Sequence, residues 1–187
     1  MFAMPPTLTV DRNVIISVLN LETGYEFASR IFVAHTKSVL IAASAANRVE
    51  NSKSGEPIQP LDEFLEDCRK AGLIDPEILD YPLDWEMGLW EHGFISPEGF
   101  DLELAIHKAL FPHVATDLSD DQFAKKRKKV TNAKCDVFAM WGHIFFKRDY
   151  FITNDDRFSK RRKQLEGLGA KGIYTPRQFV EAGIACL

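Results

Sequence analysis

The sequence predicts an α/β protein: a three-layer α/β/α sandwich with a mainly parallel central sheet. Two observations carry this expectation. Short β-prone runs alternate with segments whose apolar residues recur at helical spacing, the order produced when helices cross over between parallel strands. The composition of the 187 residues, 45% hydrophobic and 27% charged, is that of a globular chain able to bury a sizeable core. Residues 1–187 therefore read as a single domain, with a helical Trp- and Pro-containing insert around 52–130.

The elements follow in order. "TLTV" (7–10) is β-prone and stops at Asp11, and "VIISVLNL" (14–21) carries apolar residues at helical spacing. A strand thus delivers an acid to the start of a helix. Residues 25–36 are again helical in pattern, "SVLIAAS" (38–44) reads as a buried strand, and 45–51 as a short helix. "NSKSGEPIQP" (51–60) combines Ser, Gly and two Pro in a loop. "LDEFLEDCRKAG" (61–72) is helical, with Gly where it should stop. Residues 73–95, with Pro76, Pro82, Trp85 and Trp90, match no periodic pattern. Ser96 and Pro97 cap a helix reaching about Leu110, and Ser119 with Gln122 forms a capping box for "DDQFAKKRKKV". A further helix is expected over 134–147, then the strand "YFIT" (150–153), a helix around 157–167, a strand at 172–175 and a last helix opened by Pro176.

Composition also narrows the function. No apolar run reaches the roughly 18 residues of a membrane span, and "MFAMPPTLTV" lacks the features of a signal peptide, so the expected location is cytoplasmic with no membrane partner. Cys68, Cys135 and Cys186 are odd in number and lack a CxxC, which argues for buried free thiols rather than disulfides or zinc. The net charge of −4 is unevenly spread. From Asp120 onward there are 15 Lys+Arg and 8 Asp+Glu, a net +7, leaving 8 and 19, a net −11, for residues 1–119. An acidic body with a basic binding edge fits this asymmetry, as do two solvated helix faces.

The chemistry is carried by acids. In parallel α/β sheets ligands bind beyond the carboxyl ends of the strands, where Asp11 and Asp155 are expected. Asp136, in the first turn of the helix expected over 134–147, faces the same edge, and Glu50 completes a cluster of four. Like charges gathered in one place need a cation. All-oxygen ligands favour Mg2+ or Mn2+ over zinc, and such ions promote phosphodiester hydrolysis. The runs "KKRKK" (125–129) and "KRRK" (160–163), the latter with Lys160 and Arg161, would hold phosphates.

These residues also carry a family resemblance. "VDRNVII" (10–16) resembles the opening motif of PIN-domain nucleases, and "FITNDDRF" (151–158) their later strand-end Thr-x-Asp-x-x-Phe motif. "KCDVFAMW" (134–141) is similar to the family's helix-opening Asp, and "GAKGIYTPRQFVE" (169–181) to its final strand, Thr-Pro and closing helix. The resemblance implies a PIN-like sandwich cutting RNA with Mg2+ or Mn2+. Asp11, Glu50, Asp136 and Asp155 would then be catalytic metal ligands, and Asn13 an orienting neighbour. Because PIN proteins include toxins of toxin–antitoxin pairs, an antitoxin protein joins RNA among the expected partners by analogy. A homodimer is a further expectation.

Plainer readings stand beside these. Asp11 also reads as a cap of the first helix, Asp136 as a first-turn acid favoured by the helix dipole, and Glu50 as a surface residue. Thr153 would satisfy a strand-end backbone group or hydrogen-bond the reacting centre, and His143 and Trp141 read as structural. The rival class is a catalytically inactive PIN-like module that binds RNA or serves as a protein scaffold. An Asp-nucleophile phosphatase would need Asp where Asn13 stands.

Overall fold

The computed structural model describes residues 4–48, 59–82, 93–94, 97–114 and 120–184. The chain opens with β1 (Thr7–Val10), α1 (Arg12–Leu19), α2 (Tyr25–Val33) and β2 (Leu40–Ser44), which ends in a 3-10 turn at Ala45–Arg48. Next come α3 (Leu61–Lys70), β3 (Glu77–Leu79), β4 (Tyr81–Pro82), β5 (Gly93–Phe94) and α4 (Pro97–Leu110). The remainder comprises α5 (Asp120–Phe145), β6 (Tyr150–Ile152), α6 (Asp156–Lys160), α7 (Arg162–Gly167), β7 (Ile173–Tyr174) and α8 (Pro176–Glu181).

Five strands form one parallel sheet in the order β3-β2-β1-β6-β7, and β4 pairs with β5 separately. Side chains alternate across the sheet with the strand period of two. Leu8, Val10, Ile41, Ala43 and Ile152 pack on one face with Val14, Ile31, Phe64 and Phe179 from α1, α2, α3 and α8. Phe151 and Ile173 pack on the other with Ile106, Phe138, Trp141, Phe158 and Leu165 from α4 to α7. Helices on both faces of a parallel sheet are compatible with a three-layer sandwich. Truncating a buried anchor such as Phe138 to Ala should cost about 3–5 kcal/mol.

Several boundaries differ from the sequence expectation. The helices expected over 120–130 and 134–147 are one 26-residue helix, α5, because "TNA" between them contains no Gly or Pro to break it. Asp136 is consequently mid-helix rather than in a first turn, which removes the helix-dipole reading. The helix expected over 157–167 is instead divided into α6 and α7 at Arg161, whose φ of −105° departs from helical geometry. The helix expected to reach 36 stops at Val33, since Thr36 adopts φ 63° and His35 bridges to Val39. Within the aperiodic stretch 73–95, β3 forms an edge of the main sheet. Glu50, Trp85 and Trp90 lie outside the described residues.

Trp141 is fully buried, with Nε1 donating to Gly99 O at 2.9 Å. Cys68 and Cys135 are buried free thiols, and burial pushes Cys68 up to about 12. Among the described residues, no helix is long and apolar enough to cross a membrane.

Candidate active site at the β1–β6 switch point

The chain leaves β1 for β2 and β3, then returns on the other side of β1 as β6 and β7. Where the direction of crossover reverses, the connections diverge and leave a crevice at the strands' carboxyl ends. Asp11 follows β1 there, and Thr153, Asn154 and Asp155 follow β6. The Asp11 backbone N–H donates to Ile152 O at 2.9 Å, so the two strand ends are tied together.

A compact hydrogen-bond network fixes these side chains. Thr153 Oγ1 donates to Asp11 Oδ2 at 2.7 Å, and Asn13 Nδ2 donates to the same oxygen at 2.7 Å. Asn13 Oδ1 accepts from the Asn154 N–H at 3.0 Å, and Thr153 Oγ1 accepts from the Asp155 N–H at 3.0 Å. Thr153 therefore satisfies a strand-end backbone group, as one of its two expected roles required, and also bonds the Asp11 carboxylate. Asp11 occupies the N-cap position of α1 without making a side-chain capping bond, so its carboxylate is committed to the network. Asp155 does cap its helix, with Oδ1 accepting from the Arg157 N–H at 2.7 Å.

Asp11 is only 2% exposed, and its pKa is raised to about 6. Burial is the largest cause and the charge of Asp155 adds to it, opposed by the hydrogen bonds from Thr153, Arg12 and Asn13. Asp136, buried at 9% exposure, faces the crevice from α5. Arg157 Nη1 lies 2.6 Å from its Oδ2, and Nη2 lies 3.6 Å from Asp155 Oδ2. The guanidinium also stacks over Phe111, 4.5 Å from the ring centroid.

These groups border a cavity of about 450 Å3. Asn13, Asp136, Asp155 and Arg157 line its polar side, and Lys129, Asn132, Ala133, Phe111 and Val114 complete it. Lys129, Asn132 and Asp136 share one face of α5 because they are three and four residues apart.

The structure thus brings together Asp11, Asn13, Asp136, Thr153 and Asp155. Lys160 instead pairs at the surface with Asp156 at 3.5 Å, and neither it nor Arg161 lines the cavity. Of "KKRKK", Lys129 lines the cavity, whereas residues 125–128 lie outside the described side chains. His143 is fully buried, with its ring nitrogens 3.3 Å from Thr9 Oγ1 and from Lys171 O, and burial lowers its pKa to about 4. It is a neutral structural residue. Sequence reasoning did not single out Arg157, Phe111 or Asn132; the helical spacing of 129, 132 and 136 was the available signal for the last.

Among the described residues, no three His, Cys, Asp or Glu side chains group closely enough to hold an ion. The donors present are nonetheless carboxylate and amide oxygens, the types that suit Mg2+ or Mn2+. No family model matches this chain, and no curated protein matches it in sequence.

Proposed function

We propose that the protein is a PIN-like endoribonuclease that hydrolyses RNA phosphodiester bonds with Mg2+ or Mn2+. The observation that carries this reading is that Asp136 and Asp155 line one cavity at the β1–β6 switch point, with Asp11 joined to it through its hydrogen bonds from Asn13 and Thr153. The parallel five-stranded sheet and the motifs around Asp11, Asp136 and Asp155 support the PIN-like fold assignment. In this reading Asp11, Asp136 and Asp155 hold the ion, and Glu50 is the fourth acid. A bound divalent ion would polarise the phosphodiester, lower the pKa of an attacking water and stabilise the developing charge. Thr153 and Asn13 keep the Asp11 carboxylate in one orientation, and their tie to the 154–155 backbone couples both strand ends. Lys129 sets positive charge at the rim of the cavity, where it would attract a phosphate.

A second reading, a PIN-like module that binds RNA or protein without cutting, draws support from the Arg157–Asp136 pair, which already neutralises one acid. Cleavage of labelled single-stranded and structured RNA, with Mg2+, Mn2+ or a chelator, separates the two. The nuclease reading expects metal-dependent cutting that falls about a hundredfold or more in Asp11→Asn and in Asp155→Asn, with both variants folded. Full activity in both variants would sink it. RNA binding without metal binding or cutting would favour the second reading.

A further inference from the structure

Arg157 poses a conflict with any cation at the acidic crevice. Its Nη1 lies 2.6 Å from Asp136 Oδ2, so that oxygen already accepts a charge-assisted hydrogen bond. Its Nη2 reaches toward Asp155 at 3.6 Å, placing one guanidinium against two of the three acids. A dication seeking the same oxygen meets like charge at van der Waals range, a repulsion that water screens only in part because the Asp136 carboxylate is buried. The pair is not locked in place: the Asp136 side chain is 11% exposed, but that of Arg157 is 41% exposed. Phe111 offers the guanidinium a ring face at 4.5 Å, and both residues line the cavity that Lys129 and Asn132 also border.

We infer that Arg157 is a built-in counter-ion of the acidic crevice, which a divalent cation exchanges off Asp136, freeing the guanidinium to bind a phosphate of RNA in the adjoining cavity. This rests on the metal-dependent ribonuclease reading and gives it a further positioning residue. The exchange makes sense of both partners' chemistry. Without the cation, Arg157 offsets the repulsion among clustered carboxylates; with it, the planar fork is left without its carboxylate and matches phosphate oxygens bidentately. Arg157 thereby links loading of the ion to capture of the substrate. It acts by placing a phosphate, not by exchanging protons.

The test is calorimetric titration of Mn2+ into the wild-type protein and Arg157→Gln, alongside RNA binding. Arg157→Gln is expected to bind Mn2+ about tenfold more tightly, because the competing charge is gone. It should bind single-stranded RNA several-fold more weakly at saturating Ca2+, used in place of Mn2+ to slow cutting, with a salt slope shallower by about 0.7. Unchanged or weaker Mn2+ binding by the folded variant would overturn the exchange, and unchanged RNA affinity would overturn the phosphate role. A second measurement needs no substitution. In the wild-type protein the Arg157 Nε–H resonance should shift in step with Mg2+ saturation, and a resonance unmoved by bound Mg2+ overturns the inference. If neither protein binds Mn2+, the metal-site reading itself falls, a result distinct from equal binding by both.

Discussion

Asp11 at the end of β1 and His143 on α5 are shifted by the same cause with opposite consequences. Burial raises Asp11 to about 6 and lowers His143 to about 4, in each case disfavouring the charged form. For His143 the unfolded chain binds a proton at its ordinary value of 6.5 that the folded chain refuses until about pH 4. Stability from this group is therefore present above 6.5 and is lost as pH falls through that window, by up to about 1.4 kcal/mol per pH unit. Asp11 acts in the opposite sense, adding stability as pH falls below about 6. A comparison of His143→Gln with the wild type isolates the histidine. In chelator, the difference between their urea midpoints should change steadily between pH 6.5 and 4.5, with the variant less acid-sensitive; a constant difference would show that His143 does not titrate in this window. Asp11 was legible from sequence because a strand end is a local feature. Arg157 was not, because its partner Asp136 lies 21 positions away in sequence and nothing in "NDDRF" distinguishes it from the neighbouring surface cations.

At the scale of elements, local chemistry was read well where the signal is local. Pro176 opens α8 as expected, and Thr175 and Gln178 add a full capping box that was not read from the sequence. The length of α5 was misread as two helices, over 120–130 and 134–147, whereas packing of Val137, Phe138 and Trp141 belongs to one continuous helix against the sheet. A close approach that sequence does not announce occurs at Gly172, before β7. A Cβ there would stand 2.5 Å from Tyr150 Cδ1 and 2.8 Å from Tyr174 Cε2. Both rings pack against Phe179, at centroid distances of 5.4 and 6.2 Å, and have little room to retreat. Gly172→Ala should therefore cost about 1–3 kcal/mol through overpacking, measured as a lowered urea midpoint with unchanged slope. A midpoint equal to wild type would mean that the two tyrosines repack freely.

For the whole molecule, the end of the sheet opposite the crevice is held by Arg148, 7% exposed. Its Nη2 donates to Leu40 O at 3.0 Å and Leu8 O at 3.2 Å, and its Nη1 donates to Glu77 Oε2 at 2.6 Å, so one side chain joins β1, β2 and β3. Glu77 is 57% exposed, so the buried carbonyls matter more than the ion pair. Arg148→Met should destabilise by about 2–4 kcal/mol because those carbonyls lose a donor. A stability equal to wild type would remove Arg148 as a fastener. The sequence by itself determined the α/β class, the approximate places of four sheet strands, and the acids that end β1 and β6, because period, caps and strand ends are written in neighbouring residues. Only the tertiary structure decided the strand order, the recruitment of β3, the mid-helix placement of Asp136 and its pairing with Arg157. Those depend on contacts between residues far apart in the chain, whose free energy comes from packing and desolvation that no local window of sequence contains.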